Sequence, residues 1–355
     1  MNSTLVPLFA AMVAGFVSIV SAIISLAGIF YTQAKQSDTN ARIEQLRDSL
    51  QSARDATAAR REYEYEARRR LYAEAQPLLF QMYEYAGLAS ERIPDLAKRA
   101  LRGNLGSDGW LTDRTGYYLP FTIYTLLAPT VTFFLLRDKL TLFDLTLDAT
   151  LELNYNLSYA AYDAWSNDFP LAHQAPAIEY DPNTTQKWEG LMEGERDRPA
   201  RVLVDPSGKP RLITYAEFED QYLQPRSKLN SELKVFKQMI HGFTPSSRPV
   251  LWRVLVSQFF VYRALRVALD SSKRRGDAAT VPAIDLAQLL EEATTVFDGM
   301  LIWGNTEADR TASLDAIRIG RRYLAHTLLG KTSFRSCPEC RECTWENNVA
   351  VAHGV

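Results

Sequence analysis

The chain has 355 residues, of which 46% are hydrophobic and 23% are charged, and its formal net charge is −2. This composition is typical of a folded protein and argues against an intrinsically disordered one. The charge offers no basic excess for nucleic acid, so we expect no nucleic-acid partner. All three cysteines lie within residues 337–343, unlike the spread of paired cysteines in a disulfide-stapled extracellular fold.

The first predicted element is an apolar helix at residues 5–31, which contains no charged side chain. A helix rises about 1.5 Å per residue and the hydrocarbon core is about 30 Å thick, so about 20 residues cross a bilayer. The run is longer than the apolar part of a signal peptide, and residues 1–4 before it contain no Lys or Arg. We therefore predict a transmembrane anchor; a cleaved signal peptide and a buried core helix are the alternatives.

Basic residues on one side of the anchor predict its orientation. Lys35, Arg42 and Arg47 follow the apolar run, whereas the short tail of residues 1–4 has none. The positive-inside rule places the basic side in the cytoplasm. The sequence thus predicts a single-pass protein of a cell membrane, in the style of a bacterial envelope protein, with its N-terminus outside and the bulk of the chain cytoplasmic.

A line of small residues runs along the anchor at steps of three and four. Its members are Ala11, Ala14, Ser18, Ser21, Ser25 and Gly28. Small residues let two membrane helices approach closely, and serine hydroxyls can hydrogen-bond across such a contact. The pattern favours self-association within the bilayer, although small residues are also common in membrane helices that stay apart.

Residues 32–75 are predicted to form a helical stalk because they contain neither proline nor glycine. Ile43, Leu46, Leu50 and Ala53 keep the spacing of a short coiled-coil seam. Beyond them the seam positions carry poor core residues. We expect a stalk that contributes to a homo-oligomer; a single solvated helix with i,i+4 charge pairs is the alternative.

Residues 76–330 are predicted as a helical body. Its first helix should end near Leu101, and Pro77 either kinks this helix or begins a new one. The uncharged run at residues 117–136 predicts a buried core helix, with a second membrane span as the alternative. The apolar rhythm of residues 140–157 predicts a further core helix.

The middle of the body is predicted to be less regular. Prolines and polar residues make 166–200 an irregular segment with one short helix around Trp188. Residues 201–214 read as a β-hairpin, since two β-rich runs flank a turn at residues 206–209. Thr214 and Glu217 have the spacing of a capping box for the next helix. Further helices are predicted at 227–241, 249–272, 284–303 and 308–329.

The chain has no phosphate-binding glycine loop, dinucleotide fingerprint, nucleophile elbow or H-E-x-x-H motif. His173, His241 and His326 have no other His or Cys within helical reach in the sequence, so we interpret them as ordinary surface or capped residues and not as ligands or bases. The acid pairs Glu291–Glu292 and Glu307–Asp309 read as solvated surface, because neighbouring carboxylates point to different faces. The sequence therefore favours a protein that is not an enzyme.

One constellation has metal-ligand chemistry, in the tail of residues 331–355. Two residues separate Cys337 from Cys340 and Cys340 from Cys343, and His353 follows ten residues later. The Cys-Pro-x-Cys turn resembles the knuckle of zinc ribbons, and three cysteines with one histidine can complete a tetrahedral zinc site. The third cysteine comes earlier than in such modules, so free, lipid-modified or redox-active thiols are the alternative.

The fold class predicted is mainly α: one transmembrane helix, a helical stalk and a cytoplasmic helical bundle with one small hairpin. The function predicted is that of a membrane-anchored interaction or signalling protein that acts by self-association and by binding a protein partner, with the lipid bilayer as its other partner. A membrane-anchored enzyme without a recognisable motif is one alternative. A metal- or redox-sensing protein that uses the tail cysteines is the other.

Overall fold

The structure is a computed structural model that describes residues 5–105, 116–181, 188–205, 207, 210–274, 285–295, 301–302 and 306–329. The described chain is mainly helical and contains one two-stranded sheet, which confirms the predicted fold class at that level. It divides into two compact units, Met1–Ala67 and Arg68–Val355. The second unit is referred to below as the body.

Helix α1 (Leu5–Leu101) provides the described residues of the first unit and then the first helix of the body. Strong helix formers and the absence of proline and glycine explain its regularity over residues 32–67. Pro77 and Pro94 lie inside the helix and neither ends it. The helix ends close to the predicted residue because Gly103 adopts a φ of +72°, a left-handed conformation that glycine tolerates.

The remaining helices belong to the body. They are α2 (Tyr118–Leu140), α3 (Ala149–Asp163), α4 (Asp168–Ala172), α5 (Ala200–Leu203), α6 (Tyr215–Leu223), α7 (Lys228–Glu232), α8 (Lys234–Ile240), α9 (Pro249–Arg274), α10 (Leu286–Thr295) and α11 (Glu307–Leu328). Short 3-10 helices occupy Leu145–Leu147, Ala164–Ser166 and Glu193–Glu195. Strands β1 (Val204–Asp205) and β2 (Arg211–Leu212) pair antiparallel.

Helix α9 lies at the centre of the body and packs against α3, α10 and α11. Its large side chains, among them Trp252, Phe259 and Tyr262, are at most 2% exposed. Gly320 lets α11 approach closely, since a Cβ there would lie 2.8 Å from a ring carbon of Phe260. The core thus depends on an almost completely buried helix whose apolar residues cover more than one face.

Helix α2 is the second apolar helix long enough to cross a membrane. Within its most apolar stretch of 18 residues, 89% are buried. Four buried threonines, Thr122, Thr125, Thr130 and Thr132, dilute its apolar surface. This placement agrees with the prediction of a core helix for residues 117–136.

The predicted core helix over residues 140–157 is wrong in its first half. Residues 141–148 form a turn and a 3-10 helix, and Leu142 is 94% exposed. Helix α3 begins at Ala149 because the Asp148 carboxylate accepts a hydrogen bond from the Leu151 amide at 3.0 Å. Asp144 caps the preceding 3-10 helix in the same way, so two aspartates override the apolar rhythm.

Two other helix predictions have different outcomes. The short helix predicted around Trp188 falls largely on residues 182–187, which lie outside the described residues, and Trp188 itself is not helical. The regular pieces described in this part of the chain are α4 and the 3-10 helix Glu193–Glu195. The predicted helix at 227–241 is divided into α7 and α8 at Leu233, which adopts a non-helical conformation. Long helices at 249–272 and 308–329 are confirmed as α9 and α11.

The hairpin exists, but it is shorter than residues 201–214. Residues 200–203 form helix α5, and the paired strands have two residues each. The Tyr124 hydroxyl donates to the carbonyl of Ile213 at 2.8 Å and so attaches the hairpin to α2. The capping box of Thr214 and Glu217 is present and starts α6.

Acid should loosen this hairpin–helix junction. Arg211 donates to both Glu217 oxygens, at 2.9 and 2.7 Å, and with the Thr214 amide it lowers the Glu217 pKa from 4.5 to about 2. A folded-state pKa below the unfolded value means that Glu217 stabilises the junction above about pH 4.5 and that this contribution is lost as the pH falls toward 2. Protection of the 211–218 amides from hydrogen exchange should therefore decrease over this window in wild type.

The variant Glu217→Gln should already show the lower protection at pH 6 and lose the pH dependence. Glu219→Gln is the matched control, because Glu219 lies on the same helix and, among the described residues, accepts only from the Tyr215 hydroxyl, at 2.9 Å. An unchanged pH profile in Glu217→Gln would contradict the assignment of the transition to Glu217.

Candidate functional site

The most unusual surface in the described chain is the apolar part of α1. Every described side chain from Met12 to Tyr31 is exposed. Large residues lie on all sides of the helix; Phe16, Ile24 and Phe30, for example, are 70%, 66% and 67% exposed. A helix that is apolar all round is normally covered by protein or by lipid. No described residue of the first unit covers this one.

The line of small residues lies on one side of this apolar helix. The Ser18 hydroxyl donates to the Ala14 carbonyl at 2.9 Å, so its hydrogen is bonded inside the helix while its oxygen can still accept a hydrogen bond. A second helix can therefore pack there without supplying an acceptor for Ser18. The line remains a surface suited to the close packing of two helices.

The stalk seam is also uncovered. Ile43, Leu46 and Leu50 are 56%, 63% and 59% exposed. Arg60 and Glu64, one helical turn apart, form an ion pair of 3.0 Å that water surrounds. Both interpretations of the stalk therefore remain predictions. The ion pair is compatible with a single solvated helix, and the exposed apolar seam is compatible with a coiled coil.

The body contains a polar cluster at the C-terminal end of α3. The Asp163 carboxylate accepts from Arg196 and, at 2.6 Å, from the Asn167 amide. Asn167, which is completely buried, also donates to the Tyr323 hydroxyl at 3.2 Å. Tyr323 in turn donates to the Ala160 carbonyl at 2.8 Å. This chain of bonds joins α3, α11 and the segment before α5.

A neighbouring cluster contains Tyr162, Asp197 and Arg137. Tyr162 donates to Asp197, and Arg137 donates to both, at 3.2 Å to Tyr162 and 3.0 Å to Asp197. Burial, followed by the bond to Asp197, raises the Tyr162 pKa to about 12. A tyrosine with a raised pKa stays neutral at physiological pH, which suits a structural donor and not a base.

A third cluster fastens the irregular segment to α9. Arg253 is 1% exposed, and its guanidinium donates to four backbone carbonyls, those of Leu171, Ala172, Gln174 and Pro176. Burial lowers the Arg253 pKa to about 10, so the side chain is still charged at neutral pH. Glu189, 5% exposed, accepts from the first amides of α9, Val250 and Leu251, at 2.9 and 3.0 Å.

These clusters have the chemistry of structural locks. Asp163, Asp197 and Glu189 already accept hydrogen bonds from protein donors in the described structure. The described residues contain no group of His, Cys, Asp and Glu that could hold a metal ion. A cavity of about 10 Å³, lined by apolar side chains of α2, α8 and α9 and by Trp165, has only the volume of one water molecule.

The predicted metal ligands Cys337, Cys340, Cys343 and His353 lie outside the described residues. Their zinc site therefore remains a prediction.

The three other histidines fall in the body. His173 and His241 are exposed, whereas His326 is 7% exposed. Glu291 and Glu292 lie on the surface of α10, as expected. Asp309 does not: it is 5% exposed and accepts from Ser246 and Thr306. Thr306 caps α11, and Asp309 in the first turn joins that helix to the loop before α9.

Sequence reasoning missed Arg253, Glu189 and Asn167. A signal for Arg253 was present: it is the only charged residue in the apolar stretch of residues 249–262. A charge in such a stretch is rarely buried unless several acceptors surround it. Glu189 and Asn167 give no comparable signal, since both lie in the polar irregular segment.

Comparison with models of protein families, with curated proteins and with solved structures finds no match for this chain. Its function is therefore inferred from its own residues.

Proposed function

We propose that this chain is a membrane-anchored interaction protein, held in a bilayer by residues 5–31 and exposing its stalk and body to the cytoplasm. The observation that carries the proposal is the exposed apolar helix from Met12 to Tyr31. Each fully buried Val, Leu, Ile or Phe side chain gains about 1.5–3 kcal/mol over an exposed one. A stretch of this length in water would be strongly unfavourable, and a lipid bilayer removes it from water.

The described body supports an interaction role more than a catalytic one. Its buried acids and arginines are joined to one another and to backbone groups, and one apolar cavity among its described residues has room for one water molecule. A folded body on a membrane helix is suited to presenting surfaces. The exposed face of α1 supplies such a surface before the body begins.

Membrane retention tests the anchor. The triple variant Phe16→Lys/Ile19→Lys/Ile23→Lys places three charges near the centre of the span, at about 2.5–3.5 kcal/mol each on insertion scales. We expect wild type to stay in membranes washed with alkaline carbonate and most of the variant to appear in the wash. The matched control is Ile43→Lys/Leu46→Lys/Leu50→Lys, whose target side chains are similarly exposed but lie in the stalk.

The control should remain in the pellet with wild type. Release of wild type by the wash, or retention of the span variant to the same degree, would overturn the proposal of a membrane anchor.

Orientation is tested with Ser3→Cys and Ser52→Cys in a chain whose three native cysteines are replaced by serine. An impermeant maleimide applied to intact spheroplasts should label the first and not the second.

A further inference from the structure

The apolar seam of the stalk is bordered on both sides by basic residues. If Ile43 is heptad position a, then positions e and g between residues 35 and 61 contain every one of Lys35, Arg42, Arg47, Arg54 and Arg61. No acidic residue occupies e or g in this stretch. These are the positions whose ion pairs choose the partner of a coiled-coil helix. Residues 35–61 are termed the basic-edged seam below.

The acidic residues of the same stretch point elsewhere. Asp38, Glu44, Asp48 and Asp55 fall at positions b, c and f, on the outer side of the helix. Arg42, Arg47 and Arg54 are exposed and form no ion pair with any described residue. The stalk's own acids therefore leave the charge along the edges of the seam without a counter-charge.

A second copy of this chain is a poor occupant of the seam. In a parallel in-register pair, position g of one helix meets position e of the next heptad in the other, so Arg42 would face Arg47 of the second copy. In an antiparallel pair, g meets g and e meets e, so the basic residues of one edge, Lys35 and Arg42 at g or Arg47, Arg54 and Arg61 at e, again meet like charge or neutral side chains and never an acid. Only Ile43, Leu46, Leu50 and Ala53 would offset this repulsion.

An anionic lipid surface also attracts helices with a basic-edged apolar face. The unbroken course of α1 argues against it here. The first unit is helical from Leu5 onward, with no proline or glycine in residues 32–67. A helix that crosses a bilayer and continues in this way carries the stalk away from the surface. The seam also lacks the Trp and Phe residues typical of interfacial helices.

We infer that the basic-edged seam binds a helix of another protein whose own apolar a and d positions are flanked by Glu or Asp at e and g. Such a helix covers Ile43, Leu46 and Leu50 and pairs its carboxylates with Arg42, Arg47 and Arg54. The inference rests on the proposed function, because it names the class of partner that a membrane-anchored interaction protein of this kind selects.

The test uses the full chain in detergent micelles and two labelled five-heptad peptides. Both have Ile at a and Leu at d; one has Glu at every e and g position, and the other has Lys there. We expect the Glu peptide to bind at least about tenfold more tightly in fluorescence anisotropy at low salt, from a few exposed ion pairs of modest strength. Raising the salt concentration should weaken that binding.

Charge reversal on the stalk distinguishes the seam from general attraction. Arg42→Glu/Arg47→Glu/Arg54→Glu should reverse the preference toward the Lys peptide. Glu44→Lys/Asp48→Lys/Asp55→Lys changes equally many charges on the outer side and should keep the preference for the Glu peptide. Equal binding of both peptides by wild type, or an unchanged preference in the arginine variant, would overturn the inference.

Self-association is the competing outcome. A Leu46→Cys variant with the native cysteines replaced should give little disulfide-linked dimer on mild oxidation in micelles. Efficient cross-linking that the Glu peptide does not suppress would show a second copy in the seam and overturn the inference. Carbonate extraction tests the membrane anchor separately. If the protein stays in the membrane but binds both peptides equally, only the proposed class of partner is refuted. If the protein is extracted but still prefers the Glu peptide, only the membrane anchor is refuted.

Discussion

Arg253→Met is expected to destabilise the body by about 2–4 kcal/mol, because four backbone carbonyls lose a charged hydrogen-bond donor. Methionine keeps an unbranched apolar stem but lacks the guanidinium group, so the variant loses the hydrogen bonds and leaves the space of that group unfilled. The shortest of these run to the carbonyls of Leu171 and Pro176, at 2.7 and 2.6 Å. For a body of this size the melting temperature should fall by about 5–10 °C.

Arg318→Met is the matched control, since that arginine is 58% exposed and pairs with Asp315 at 3.6 Å. An exposed pair of this kind contributes at most about 1 kcal/mol. Melting of the detergent-solubilised chain is followed by near-ultraviolet circular dichroism, and hydrogen exchange of residues 168–181 locates the change. Arg253→Lys should recover part of the loss, because an ammonium group keeps the charge but has fewer donors. Equal melting of the Arg253→Met and Arg318→Met variants would contradict the role of Arg253.

Gly190→Ala is the second change with a large expected effect, about 1–3 kcal/mol of destabilisation from overpacking. A Cβ at this position would lie 2.6 Å from both Cβ and Cγ of Asp168. Asp168 cannot yield without disturbing its bond to the Tyr180 hydroxyl, which is 2.9 Å long. The backbone of residue 190 is also held between Glu189 and the Leu191 amide, which donates to the Trp165 carbonyl at 2.6 Å.

Gly194→Ala provides the comparison, because a Cβ at residue 194 meets no atom within 4 Å. We expect that variant to melt within about 0.5 kcal/mol of wild type, as surface substitutions commonly do. The same melting assay applies to both. If the two alanine variants were equally stable, the close approach of residues 168 and 190 would not be a constraint on the fold.

Both predictions concern one region, in which the irregular segment is fastened to α9. Arg253 holds the chain after α4, and Glu189 caps α9 from the other side. The polar residues of this segment predict an irregular stretch that crosses the surface. In the structure Asn167 is completely buried and Asp168 and Glu189 are each 5% exposed, because each has hydrogen-bond partners that only the folded body brings together.

The sequence by itself determined the features that depend on local periodicity and composition. The long α1, the end of that helix near Leu101, the buried α2 and the capping box at Thr214 were all predicted from the chain. In these cases the spacing of apolar residues or the chemistry of a cap specifies the structure without help from distant residues. The charge pattern of the stalk belongs to the same class, since a regular helix fixes which residues share a side.

Only the tertiary structure decided the features that require groups distant in the chain. Arg253 is a lock because four carbonyls from residues 171–176 converge on it. Asp309 is buried because Ser246 reaches it from another loop. Local pattern cannot encode such contacts, since their free energy arises only when separate elements meet and exclude water.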